Sequence, residues 1–238
     1  MRFLPKFFAT LGLSLLALSV SAAPDNPKNG VDFRTLDKVQ RTESGKKVEV
    51  TEFFWYSCPH CHAFEPALEN WVKKQGDNIV FKQVPVAFND SFIPQQRLYY
   101  ALDALGLTAQ LNAKIFNAIH VERQSLDKDA SIADFIAKQG VDKKKFVDMY
   151  NSFGVQAKVR TATQLQAAYK IDGVPTIAIG GRYITSPSIA AAGLDGRQPE
   201  GKLQAAALKV MDFLVAKAGK EMGQGAKPAI AAATLQKK

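Results

Sequence analysis

Cysteine is nearly absent from this chain: 2 of 238 residues, Cys58 and Cys61, so no network of disulfides can hold the fold together. After residue 22 there is also no apolar run approaching the roughly 20 residues that a membrane helix needs. Glycine (16) and proline (11) are too few for a collagen-like or low-complexity chain. Basic residues outnumber acidic ones by 31 to 22, yet the longest basic run is Lys143 to Lys145. Such a scattered excess suggests weak attraction to anionic surfaces and argues against nucleic acid as a partner. What is present is the composition of a globular protein, 47% hydrophobic and 22% charged, at a length that buries a full core or a core plus a sub-domain. Stability needs no covalent staple, and the two cysteines are left for chemistry.

The N-terminus has the three parts of a secretory signal: Arg2 and Lys6, an apolar stretch from Phe7 to Val20, and the small residues Ser21, Ala22 and Ala23. Cleavage after Ala22 is expected, which lowers the basic count to 29 against 22 acidic residues. The mature chain is expected to be a soluble monomer in the periplasm, a compartment that permits disulfides.

The stretch Lys47 to Trp55 (KVEVTEFFW) is β-branched and aromatic, as is Ile79 to Val86 (IVFKQVPV), and both read as strands. Between them Phe64, Leu68, Trp71 and Val72 recur at helical spacing from a start near Cys58. Strand, helix and strand form a βαβ unit with parallel strands. Past Phe88 the pattern changes to consecutive helices, near 94–105, 108–121, 130–139, 142–152 and 155–169. Gly106 and Gly140 stand at helix ends, and Ser131 with Asp134 resembles a capping box. Strand character returns over Val174 to Thr185, where Gly180 and Gly181 suit a two-residue hairpin turn, and an amphipathic helix follows near 203–219. The expected division is a signal peptide (1–22), a sheet domain in two parts (23–88 and 166–219), a helical domain inserted between them (89–165) and a flexible tail (220–238).

Both cysteines lie in Ser57-Cys58-Pro59-His60-Cys61-His62, where a strand gives way to a helix. Cys-x-x-Cys in that context is a redox motif. The helix N-terminus presents unpaired N–H groups and the positive end of a dipole, both of which stabilise a thiolate on Cys58. Cys58 should then be an exposed attacker with a low pKa, and Cys61, a turn further on, a protected resolver with a higher one. A purely structural bridge across so short a loop would constrain the unfolded chain little. A zinc site fares no better, because Cys58, His60, Cys61 and His62 are too crowded to form one tetrahedron. The run Cys58-Pro59-His60-Cys61-His62 is also the C-x-x-C-H attachment pattern of c-type haem, and by spacing alone the two readings are tied. Context favours the redox pair, since haem attachment requires neither the preceding strand nor Val174-Pro175-Thr176. His62 is read as a helix-surface residue and His120 as structural.

With these parts in this order, the chain resembles the thioredoxin superfamily and, within it, the DsbA family of periplasmic thiol oxidants. The resemblance covers about residues 30–219 and rests on Glu52-Phe53-Phe54, Cys58-Pro59-His60-Cys61, Phe64-Glu65 and Val174-Pro175. It implies an α/β, thioredoxin-like fold, a central mixed sheet flanked by helices, with an inserted helical domain. It implies that Pro175 is cis and lies beside the cysteines, which would free the backbone of Val174 to pair with an extended substrate segment. His60 would donate a hydrogen bond or a positive charge to the Cys58 thiolate. Strand alternation puts Val48, Val50, Glu52 and Phe54 on one face and Val80, Lys82, Val84 and Val86 on one face of the next strand. Glu52 and Lys82 are therefore expected to meet as a buried pair, where the resemblance suggests a role in moving the proton of Cys61. Glu65 matches a family acid near the site.

The activity implied is that of a thiol:disulfide oxidoreductase. It would donate the Cys58–Cys61 disulfide to reduced or unfolded exported polypeptides through a mixed disulfide at Cys58. Trp55, Phe64 and Phe92, with the inserted helices, would form a groove for such chains. Reoxidation would come from a quinone-linked membrane partner of the DsbB type, with no bound cofactor and no metal. The alternatives are an isomerase or reductase of the same fold and, from another class, a c-type haem electron carrier.

Overall fold

The computed structural model describes residues 26–194 and 196–225. The expected signal peptide lies outside them, as does the tail beyond residue 225. Among the described residues no helix is long and apolar enough to cross a membrane.

The fold is organised around β2 (Val48–Phe54), in which all seven residues are buried. A strand covered on both faces has no solvated side to reserve for polar residues, so even its acidic residues are enclosed. β2 pairs in parallel with β3 (Ile79–Pro85), the two being joined by the crossover helix α1 (Pro59–Gln75), as the βαβ reading requires. On its other edge β2 pairs antiparallel with β4 (Thr176–Ile179), which pairs with β5 (Tyr183–Thr185), and β5 with the short β1 (Arg34–Thr35). The five-stranded sheet has the order β1-β5-β4-β2-β3.

Gly180 and Gly181, both with positive φ (60° and 68°), form the turn between β4 and β5, where Arg182 donates its N–H to the Ile179 carbonyl at 3.1 Å; because Ile179 pairs with Tyr183, Arg182 joins the connection, which is one residue longer than the expected two-residue turn. A Cβ at position 181 would lie 2.2 Å from the Gln40 carbonyl oxygen, so close backbone approach as well as φ demands glycine there.

One face of the sheet is covered by α1 and by α8 (Glu200–Gly225): Val50, Phe64, Leu68, Ile177, Val210, Met211 and Leu214 form this core. The other core joins Phe53, Phe54 and Val84 to the inserted helices. These are α2 (Ile93–Leu105), α3 (Thr108–His120), α4 (Asp129–Lys138), α5 (Lys143–Tyr150) and α6 (Phe153–Ala168). A single turn, α7 (Pro187–Ala190), precedes α8.

Two local expectations are corrected. The Ser131–Asp134 capping box does not form: α4 starts earlier, at Asp129, Ser131 Oγ donates to the Lys128 carbonyl, and Asp134 pairs with Lys143. Helix α8 starts at Glu200 and continues to Gly225, so residues 220–225 are helical and not part of a flexible tail. Glu221 explains the extension, since its carboxylate accepts from the Tyr183 hydroxyl at 2.8 Å and pairs with Lys217 at 3.1 Å.

Candidate active site

The end of β2 and the start of α1 fix the two sulfurs. Cys58 is the N-cap of α1, with extended backbone (φ −82°, ψ 116°), and Pro59 occupies the first turn, where a missing N–H costs nothing. The Cys58 sulfur takes the place of a capping oxygen, accepting from the Cys61 N–H at 3.3 Å. The inserted domain braces this junction: Gln95 of α2 accepts from the Ser57 N–H through Oε1 and donates to Ser57 Oγ through Nε2.

Both cysteines are free thiols, 6% exposed at Cys58 and fully buried at Cys61. Cys58 is thus the more accessible of the two but is not the exposed residue expected. The loop before β4 covers it: the Val174–Pro175 bond is cis, and the Cys58 thiol lies 3.5 Å from the Val174 carbonyl oxygen. Hydrogen bonding from the Cys61 side chain, aided by backbone N–H groups of Cys61 and His60 and the His60 charge, lowers the Cys58 pKa from 9.0 to about 7 against the opposing effect of burial. Burial, followed by the hydrogen bond to Cys58 and the nearby negative charge, pushes the Cys61 thiol far up. The two sulfurs therefore divide into a leaving group and a protonated resolver.

Near Cys61 lies the carboxyl of Glu52, and near Glu52 that of Glu65. Glu52 is fully buried, with Gln83 Nε2 donating to its Oε2 at 2.8 Å and no described residue bonded to its Oε1. Burial first, then the charge of Glu65, raises its pKa well above the usual carboxylate range. Glu65, held mainly by burial at a pKa of about 7, accepts from Asn112 Nδ2 at 2.9 Å. Asn112, on inserted helix α3, also accepts a 2.6 Å hydrogen bond from the Tyr56 hydroxyl through Oδ1. Neither Asn112 nor Gln83 is singled out in the sequence. No short motif contains them, because they reach the site from separate elements.

The expected Glu52–Lys82 pair does not form. Register pairs Glu52 with Gln83 and Thr51 with Lys82, so Lys82 points to the opposite face of the sheet. There it meets Glu49 at 2.8 Å and Glu43 at 3.3 Å. Each alternation holds within its own strand, but a one-residue offset between the strands reverses which faces coincide.

A buried carboxyl kept protonated in the folded chain and ionised in the unfolded one gives a testable dependence on pH. The folded state then holds the extra proton, so stability is complete below the ordinary value of 4.5 and declines as pH rises above it. The Glu52 contribution to that decline is about 1.4 kcal/mol per pH unit while this difference in protonation persists. Glu52→Gln is expected to remove it, leaving a variant more stable than the parent at neutral pH, as urea titrations at pH 5 and 7.5 would register.

His60 is exposed on the first turn of α1, and its Nδ1 lies 2.8 Å from Oε1 of Glu200, the first residue of α8. His62 is half-buried, stacked on His120 with ring centroids 4.8 Å apart and planes 7° apart, and also on Phe116 at 5.9 Å. His120 Nε2 lies 2.8 Å from the Tyr56 carbonyl oxygen. His120 therefore packs beside the site, and the residue that a haem reading would make an iron ligand faces an imidazole and a phenyl ring. Trp55 stacks on Phe92 at 4.1 Å, but Phe64 is wholly buried in the core beneath α1 and cannot line a surface groove as expected. A groove of about 620 Å³ runs along Val174, Pro175 and Thr176 and past His60 and Glu200, and the Cys58 sulfur lies behind its wall, 3.5 Å from the Val174 carbonyl oxygen.

A family model described as a DSBA-like thioredoxin domain matches residues 49–206, a span that contains the sulfurs, both carboxyl groups, the inserted helices and the cis-proline loop. The chain belongs to this family. It is 51% identical over 179 residues to the thiol:disulfide interchange protein DsbA of Burkholderia cepacia, covering 75% of this chain and 84% of that one. To the protein of the same name from Bordetella pertussis it is 40% identical over 215 residues, 90% of this chain and 98% of the relative. The crystal structure of Pseudomonas aeruginosa DsbA superposes with a TM-score of 0.73 at 31% identity, covering 82% of this chain and 95% of that one. Reduced DsbA1 from Neisseria meningitidis superposes at 0.70, with 26% identity and coverage of 84% and 100%. The fold is accordingly thioredoxin-like with a helical insertion, and the chain is a thiol:disulfide oxidase of the DSBA family. Nothing in these relationships favours the haem alternative.

Proposed function

We propose that the protein oxidises newly exported polypeptides in the periplasm and is itself reoxidised by a quinone-linked membrane partner of the DsbB type. The observation that carries this reading is the Cys58 sulfur: it caps a helix N-terminus with a lowered pKa, beside the cis-proline loop whose Val174 carbonyl lies 3.5 Å away. In the oxidised enzyme a client thiolate attacks the Cys58 sulfur, the Cys58–Cys61 bond breaks, and Cys61 leaves and takes up a proton. Glu52, whose charge bears on Cys61, is suited to exchange that proton. A second client thiolate then attacks the client sulfur of the mixed disulfide and expels the Cys58 thiolate. The client dithiol loses two electrons and two protons in becoming a disulfide, and the enzyme disulfide gains two electrons.

A client segment along the groove would pair its backbone with Val174 in the manner of an added strand and bring its cysteine to Cys58. Two sulfur atoms carry both electrons, so no bound cofactor is needed. The membrane partner returns the Cys58–Cys61 disulfide by the same exchange in reverse, passing the electrons to quinone. Export rests on the charged, apolar and small-residue pattern of residues 1–22.

Oxidised enzyme mixed with an equimolar amount of a reduced, unfolded protein having one cysteine pair is expected to form one client disulfide per enzyme disulfide consumed. Thiol titration and mass measurement of both partners check the stoichiometry. Transfer in the other direction, with the reduced enzyme reducing the same client disulfide to completion, would contradict an oxidase.

A further inference from the structure

The charge on His60 helps to lower the pKa of Cys58, and that charge is governed from the far end of the chain. Glu200 stands 140 positions after His60 in sequence, and its Oε1 is 2.8 Å from His60 Nδ1. Both side chains border the groove beside Val174 and Pro175. The other charged residues lining that groove, Arg34 and Asp172, pair with each other at 3.6 Å, and Cys58, the cap of the helix that carries His60, is near enough for its charge to act on the imidazole.

We propose that Glu200 is a positioning residue of the disulfide exchange: its carboxylate fixes the His60 imidazolium beside the Cys58 sulfur. The sequence offers no hint of this, since Glu200 lies in no motif and reaches the site only because α8 starts against the groove. The inference rests on the oxidase reading, in which Cys58 departs as a thiolate for the imidazolium to stabilise. The hydrogen bond from His60 to Glu200 is the largest cause raising the histidine pKa above its ordinary value, and the charge of Cys58 adds to it. Glu200 acts on Cys58 through His60, whose charge is among the causes that lower the thiol.

This arrangement leaves a signature confined to one range of pH. At low pH His60 is protonated with or without Glu200, and at high pH it is neutral in both cases. Only between the two histidine midpoints does the carboxylate decide the charge beside Cys58. There E200Q should make the enzyme less oxidising, shifting its glutathione equilibrium by about 1.5- to 5-fold, the scale of a partly exposed ion pair. At either end of the range the two proteins should coincide, which a general loss of structure would not produce.

The test has two parts. The imidazole resonances of His60 in the oxidised protein, followed by NMR through pH 5 to 9, are expected to titrate at lower pH in E200Q than in the parent. Glutathione equilibria of parent, E200Q, H60Q and the double variant over the same range are expected to show the windowed shift, and no effect of E200Q once His60 is glutamine. An unchanged His60 midpoint, an offset equal at every pH, or a full effect of E200Q in the H60Q background would overturn the proposal. Failure of the oxidase reading shows up elsewhere, as a parent protein poised like a reductase, and the His60 titration still decides whether Glu200 holds the ring.

Discussion

Cys61→Ala is expected to turn the enzyme into a covalent trap. The client is a polypeptide with a single cysteine activated as a mixed disulfide with an aromatic thiol. The Cys58 thiolate attacks the client sulfur, the aromatic thiolate leaves, and client and enzyme are joined. In the parent, Cys61 then attacks Cys58, closes the enzyme disulfide and releases the client thiol. The resolver is well placed for this: its N–H is 3.3 Å from the Cys58 sulfur, and it is wholly buried where no second client can compete. With alanine at 61, nothing can complete the second step. Most of the variant should migrate as the adduct on non-reducing gels, while the parent shows little. Cys58→Ser should form none, because the nucleophile is gone. Equal adduct in parent and Cys61→Ala would mean that Cys61 does not resolve.

The second large effect concerns stability and redox state together. The Cys58 pKa of about 7 in the fold lies below the ordinary 9.0, so the folded reduced enzyme loses this proton more readily than the unfolded chain does. A depressed pKa contributes stability that is fully present above the unfolded value and disappears as pH falls through the folded one. The reduced form should therefore gain about 2 kcal/mol from Cys58 between pH 7 and 9, less about 0.4 kcal/mol because Cys61, kept protonated in the fold, begins to ionise in the unfolded chain near 9.0. The oxidised form has no thiol to ionise and should not share the gain, while the pH dependence of Glu52 and Glu65 is common to both and largely cancels in the difference. For a domain of this size the net effect is about 3–6 °C in Tm. Thermal unfolding of the two forms at pH 7 and 9 measures it, and a reduced-minus-oxidised difference that does not grow with pH would contradict a stabilised thiolate on Cys58.

How much of this was legible in the residues differs from element to element. The βαβ unit, the glycine hairpin and the succession of helices follow from local spacing and turn chemistry, which a single chain displays directly. The sulfurs were legible for the same reason, since strand, cysteine pair and helix start are adjacent in sequence. What failed was geometry across elements. The Glu52–Lys82 pairing depended on the offset between two strands, a quantity that alternation within each strand does not contain. The partners that matter instead, Gln83, Asn112 and Glu200, come from three separate elements and carry no spacing to connect them. His62 and His120 looked unrelated because 58 positions separate them, yet their rings stack once α3 packs against α1. The burial of Phe64 shows the same limit: its apolar character was plain, but which way α1 would turn it was not.

The measurement that bears most directly on the enzyme's role is its equilibrium with glutathione redox buffers, read from the fluorescence change as Cys58 and Cys61 alter state beside Trp55. The DsbA pair is strongly oxidising, at about −120 mV, a family value that serves here as the expectation for this chain. A value near it is the expected result and would place the disulfide among donors to other proteins. A value near about −270 mV, the range of thioredoxin, would contradict an oxidase and make the same two sulfurs a reductase.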